Sequence, residues 1–175
     1  MNVNDTFDIR GETHIEVYKF RGGSIFVATA VALILQALLP VYFPKMALLD
    51  FPLLITVYFG LSRRNPSTGL LLGTLIGLLQ DSLSRSPLGL YGIAKTIIGY
   101  TASSIGARLD TEHPAARFAL TVVFFGLQQF VVGLIERVLL AHSGALFNTR
   151  IAIAAGVNGI VGVFLYFLLD RLRKS

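Results

Sequence analysis

The sequence predicts an all-α protein, a polytopic bundle of six transmembrane helices, and three observations carry that class. Hydrophobic residues make up 54% of the 175-residue chain and charged residues only 14%, against about 25% charged in an ordinary soluble domain. Mean hydropathy is accordingly high, at +0.69. The apolar residues also fall in long consecutive runs, which suits a single helix bundle better than a soluble domain with one anchor. Finally, the runs are separated by corners that carry helix start signals, such as Asp50 before Pro52 and Asn65 before Pro66.

The sequence pI of about 9.8 does not point to nucleic acid. Lys and Arg sit between apolar runs rather than on one aromatic-rich face, so the excess orients the chain in a bilayer. The chain contains no cysteine, which excludes disulfides and thiolate metal sites. His14, His113 and His142 are far apart in sequence and give no metal-ligand spacing, and nothing else in the chain calls for a cofactor.

Taken in order, residues 1–22 form a cytoplasmic or interfacial tail with Asp5, Asp8, Arg10, Glu12, Glu16, Lys19 and Arg21. Ile15, Val17, Tyr18 and Phe20 give this tail an apolar surface that can lie on a membrane. The apolar run that follows is too long for the ~7–15 residues of a cleavable signal, so it reads as a retained first span, 23–41. After a corner at Pro40–Pro44 comes a second span, 48–62, capped by Asp50. A dozen helical residues reach only about 18 Å of a roughly 30 Å core, so this segment must extend, thin the bilayer or be re-entrant.

Asn65 and Pro66 open the third span, 66–84, and Ser86 and Pro87 repeat the signal for the fourth, 87–107. The fifth, 115–140, and the sixth, 150–169, complete a single transmembrane domain, 23–170, before a basic cytoplasmic tail, 171–175. Six spans place both termini on one side. That side holds Arg10, Lys19, Arg21, Arg63, Arg64, Arg108, Arg117, Arg171, Arg173 and Lys174, and the other only Lys45, Arg85, Arg137 and Arg150. The positive-inside rule makes the richer side cytoplasmic.

Within the spans, small residues recur at helical spacing. Gly69, Gly73 and Gly77 form a track that ends at Asp81. Gly92, Lys95, Gly99, Ala102 and Gly106 form a second seam, and Gly126, Gln129, Gly133 and Glu136 a third. Such seams let neighbouring helices pack closely inside the bundle, or let one of them receive a helix of another protein. Asn158 shares a stripe with Ala154 and Gly162.

Asp81, Lys95, Gln129, Glu136 and Asn158 therefore collect in the outer half of the bundle. Each ionisable group at depth costs roughly 3 kcal/mol or more unless it is partnered. One reading is a buried ion pair, Asp81 with Lys95 or Lys95 with Glu136, that fixes which helices adjoin. The other is a small-molecule or ion pocket open to the outside. A proton relay fits less well, because a lone lysine with two candidate carboxylates suits permanent pairing. No nucleophile with a nearby base, phosphate loop or paired metal histidines is present, so no enzyme is expected and no catalytic, cofactor-binding or metal residue is assigned.

The run GLLLGTLIGLLQDSLSRSPLGL, Gly69 to Leu90, with Gly99 and Tyr100 beyond it, resembles the signature of the bacterial MreD family of rod shape-determining membrane proteins. The Phe51 and Pro52 start and the Asn158 and Gly159 pair are similar too. The resemblance covers spans two to four and six; it is weak in the tail and span five, and Lys95 stands outside it. It implies a non-catalytic scaffold of the cell-elongation machinery in the bacterial inner membrane, needed for rod shape and peptidoglycan synthesis. The single-span MreC is the implied partner, with MreB, the RodA glycan polymerase and its penicillin-binding transpeptidase associated. It also implies a fold resembling the substrate-binding subunits of vitamin uptake transporters, which keeps solute binding as the alternative function.

Overall fold

The computed structural model describes residues 22–84, 86–108, 113–139 and 148–171. The sequence expectations for the N-terminal tail through Arg21, for Arg85, for the loop residues Asp110 and Glu112, for His142 and for the basic end Arg173 and Lys174 lie outside the described residues. Six α-helices follow one another: α1 Gly22–Tyr42, α2 Phe51–Arg63, α3 Pro66–Leu83, α4 Leu90–Gly106, α5 Pro114–Leu139 and α6 Thr149–Asp170. A 3-10 turn, Pro44–Leu48, leads into α2.

The short second helix is the hub of the bundle. Residues Pro52 to Leu61 are buried all round, as an apolar helix enclosed by others should be, and α2 touches each of the other five helices. Its start follows from the sequence. The Asp50 side chain accepts a hydrogen bond from the Leu53 N–H at 2.9 Å, and Pro52 occupies the first turn, where no N–H is needed. Leu53, Leu54 and Val57 on α2 meet Ile98 and Ala102 of α4, Phe124 of α5 and Tyr166 of α6 in one core.

Among the described residues, length and composition suffice for membrane crossing in four stretches: Gly23–Tyr42, Pro44–Arg63, Pro114–Val138 and Thr149–Asp170. The second of these answers the length problem of the 48–62 segment, because the 3-10 turn extends α2 at its start. Helices α3 and α4, of 18 and 17 residues, reach about 27 and 26 Å by the helical rise.

The closest packing lies between α3 and α4. A Cβ at Gly69 would overlap Ser103 and the Gly99 carbonyl, one at Gly73 the Lys95 carbonyl, and one at Gly77 the Tyr91 carbonyl. A Cβ at Gly99 would in turn strike the Gly69 carbonyl. Backbone therefore lies on backbone along two glycine seams, the contact that replaces hydrophobic driving force between helices in lipid. Gly92 is looser, since a Cβ there would meet the movable end of Leu78 at 2.9 Å. The third seam differs: a Cβ at Gly126 meets nothing within 4 Å, and Gly133 is half-buried. The face that α5 turns into the core is instead Thr121, Phe124, Phe125, Gln128 and Val132.

These contacts set an expectation for two alanine substitutions. Gly73→Ala should lower the stability of the purified protein by about 1–3 kcal/mol, the usual cost of overpacking. Gly126→Ala should leave it unchanged or slightly raised, because it adds a better helix former in open space. Thermal melting in one detergent compares the two; equal midpoints would refute the packing assignment.

Candidate functional site

At the end of the bundle where α1 and α3 finish and α2, α4 and α6 begin, three helices, α2, α4 and α5, meet at one lysine. Lys95 enters from the second turn of α4 and is fully enclosed. Its ammonium donates to Asp50 Oδ2 at 3.2 Å and to Gln128 Oε1 at 2.7 Å. Gln128 closes the triangle by donating from Nε2 to the same Asp50 oxygen at 2.6 Å. The Tyr91 ring lies 4.9 Å from the ammonium, adding the attraction between a cation and an aromatic face. With Asp50 Oδ1 spent on the α2 cap, both oxygens of the carboxylate are committed.

Asn158 supports this group from α6 without touching the lysine. Its Oδ1 accepts the Asp50 backbone N–H at 2.9 Å, and its Nδ2 donates to the Leu48 carbonyl at 2.7 Å and the Ala154 carbonyl at 2.8 Å. The interruption of helix between the 3-10 turn and α2 is thereby satisfied from a helix more than a hundred residues away, as buried backbone groups require. Gln36 of α1 adds another tie, accepting the Phe51 N–H at 3.0 Å.

The structure thus corrects the expected ion pairs. Lys95 meets neither Asp81 nor Glu136. Asp81, in the last turn of α3, accepts the backbone N–H groups of Gly89 at 2.9 Å, Tyr91 at 3.1 Å and Gly92 at 3.0 Å. It caps α4 from another helix, so α4 begins at Leu90 rather than at the Ser86 and Pro87 signal. Gly89 makes the entry possible, with φ of 97° that a residue with a side chain adopts only under strain. On α5 the polar residue that reaches the lysine is Gln128, not its neighbour Gln129, and Glu136 is half-buried away from the triangle. Of the five expected residues, the structure joins Lys95 and Asn158 through Asp50; Asp81 acts separately.

Beside this network lies a cavity of about 190 Å³ lined by Asp50, Gln80, Tyr91, Gln129 and Arg150, among others. A larger cleft of about 820 Å³ runs between α1 and α6, with Phe51 and Ile55 of α2 in its floor. Its walls are almost entirely apolar, including Val27, Val31, Leu165 and Leu168. At the opposite end of the bundle, Arg117 of α5 pairs with Asp170 of α6 at 2.6 Å. Tyr58 of α2 donates to the same carboxylate at 2.9 Å.

Sequence reasoning identified Asp50 only as a helix cap and did not identify Gln128. The available signal for Gln128 was its place on the stripe Thr121, Phe124, Phe125 and Val132, three and four residues apart, which the competing glycine spacing masked.

An all-helical multi-pass membrane protein whose buried charges are consumed by its own helices is what this fold and site define. The chain belongs to the MreD family: the model for rod shape-determining protein MreD matches residues 18–175. No curated protein matches the chain, and no solved structure does. Membership makes it a rod shape-determining membrane protein, of a structural family rather than a known enzyme family.

A double-mutant cycle tests the triangle. Lys95→Met alone, which leaves the Asp50 carboxylate buried and uncompensated, should cost about 3–5 kcal/mol. Adding Asp50→Asn, which keeps a cap acceptor for the Leu53 N–H, should recover more than half of that loss. Additive effects in thermal melts would show that the two residues are uncoupled.

Proposed function

We propose that the chain is a non-catalytic scaffold of the bacterial cell-elongation machinery, spanning the inner membrane six times with both termini in the cytoplasm. In this reading it supports rod shape and peptidoglycan synthesis by binding the single-span MreC. MreB, the RodA glycan polymerase and its penicillin-binding transpeptidase are associated components.

The observation that carries the reading is the complete commitment of Lys95 and Asp50 to each other and to Gln128. A buried ion pair held on every side supplies rigid helix placement, and neither Lys95 nor Asp50 is left free to act as an acid or base. The basic residues support the orientation. Arg63 and Arg64 at the end of α2, Arg108 after α4, Arg117 in α5 and Arg171 after α6 all fall at the bundle end opposite the Lys95 network, where the positive-inside rule expects the cytoplasm. Solute uptake finds less support, because pockets for drug-sized ligands run to roughly 300–1,000 Å³ and the polar cavity is only about 190 Å³.

Affinity purification from native membranes, read by mass spectrometry, should recover a single-span partner together with glycan polymerase components. Recovery of transporter ATPase subunits alone would overturn the scaffold reading. For topology, a reporter fused after Ser175 should be active only in its cytoplasmic form; activity restricted to the exterior form would refute the six-span orientation.

A further inference from the structure

The ring of helices around α2 is open at one place. Contacts join α1 to α3, α3 to α4, α4 to α5 and α5 to α6, whereas α1 and α6 do not meet among the described residues. The apolar cleft of about 820 Å³ occupies that gap. Its lining starts with Gly23 and Ser24 in the first turn of α1 and includes Leu168 and Leu169 in the last turn of α6. The cleft therefore opens at the bundle end where residues 1–21 join α1.

The same end carries positive charge without counterions. Arg63, Arg64 and Arg171 make no ion pair among the described residues. Of the described carboxylates, Asp50, Asp81 and Glu136 stand at the other end, and Asp170 is held by Arg117 and Tyr58. Arg108 is set apart by Asp110 and Glu112, two and four positions beyond it.

The segment that precedes α1 complements both features. Over residues 5–16, Asp5, Asp8, Glu12 and Glu16 outnumber Arg10, and Tyr18 and Phe20 follow them close to the helix. In an extended segment Glu12, Glu16, Tyr18 and Phe20 share one face, because successive side chains alternate. At about 3.3 Å per residue Glu16 reaches roughly 20 Å from Gly22, and neighbouring helix axes lie about 8–10 Å apart. Arg63 and Arg64, at the end of the adjacent α2, fall within that range, as does Arg171 across the cleft. Gly22 and Gly23 stand at the root of the segment, where glycine lets the backbone reverse. So short a tether keeps the local concentration high. Glu16 and Lys19 hold the backbone at headgroup depth, since carrying a charge into the hydrocarbon is costly, so only the two aromatic side chains enter the mouth.

We propose that residues 12–20 fold back across this end of the bundle, Tyr18 and Phe20 covering the mouth of the cleft between α1 and α6, and Glu12 and Glu16 pairing with Arg63, Arg64 and Arg171. The seated segment closes the mouth to lipid and to other helices. This contact lies wholly within the chain, so it stands or falls apart from the scaffold reading.

The chain has no cysteine, so engineered pairs report proximity without background. In the full-length protein in phosphatidylcholine vesicles, Tyr18→Cys with Leu168→Cys should form an intramolecular disulfide, which requires Cα atoms within about 7 Å of each other. Tyr18→Cys with Ser104→Cys, at a similar depth on α4, should not. Neither Leu168 nor Ser104 is buried, so both substitutions leave the core intact. Adding Glu12→Lys and Glu16→Lys should reduce the first disulfide about fivefold, the worth of two exposed ion pairs. Arg64→Glu with Arg171→Glu in that background should restore it.

A segment that continued α1 as helix would put Tyr18 about 8 Å beyond Gly23 along the axis, too far from Leu168 to be oxidised, and a cleft filled by lipid would also give no disulfide. Disulfide-linked dimers would place a second copy on the cleft instead. Any of these results, equal yields with Leu168→Cys and Ser104→Cys, or a yield indifferent to the charge reversals, overturns the proposal.

Discussion

An ammonium sealed among helices is the most demanding group in this molecule, and much of the fold answers it. Lys95 is wholly inaccessible, in a setting where an unpaired charge costs several kcal/mol. The answer draws one group from each of several helices: a carboxylate from the start of α2, an amide from the middle of α5 and an aromatic face from α4 itself. Because the Asp50 carboxylate has to reach inward, the chain before α2 must break, and Asn158 of α6 satisfies the broken backbone. Such a pair adds little net stability over a well-packed apolar substitute. What it fixes is register, since a helix rotated or slid by one residue would leave a charge without its partner.

The second constraint is close approach. Lipid is as apolar as a leucine core, so helices in a bilayer gain nothing by burying apolar surface against each other and depend on contact and hydrogen bonding instead. The α3 and α4 pair meets that need with glycines that set carbonyls against the opposing backbone. The same approach brings Asp81 onto the three free amides at the start of α4. Backbone packing and capping are thus one arrangement: without Gly77 against Tyr91, the Asp81 carboxylate would stand too far from the α4 entry.

Much of this was legible in the sequence for chemical reasons. Asp50, Asn65 and the prolines behind them mark helix starts because an acceptor side chain and a missing N–H suit a first turn. The glycine tracks on α3 and α4 stand out because only contact explains three glycines at fourfold spacing. The partner of Lys95 was not legible, and the reason lies in the solvent. A helix in water betrays its inner face by its polar outer face, whereas α5 is apolar toward core and lipid alike. Its phase rested on Gly126 and Gly133, which selected Gln129 over Gln128, residues about 100° apart around the axis. Asp50 was hidden for a different cause: one oxygen served the visible role as cap while the other, invisible to local pattern, reached across the bundle.

The reliance of α2 on Asn158 also has a temporal meaning. Asp50 and Asn158 are separated by 108 positions, so at about 5–20 residues per second the ribosome delivers α2 some 5–20 seconds before the side chain that completes its start. During that interval the Asp50 amide and the Leu48 carbonyl lack their final partners, and the central helix of the bundle is the one kept waiting. The nascent chain therefore reaches its mature core only when its last helix arrives. A chain cut short before α6 would lack the side chain that satisfies the start of its central helix.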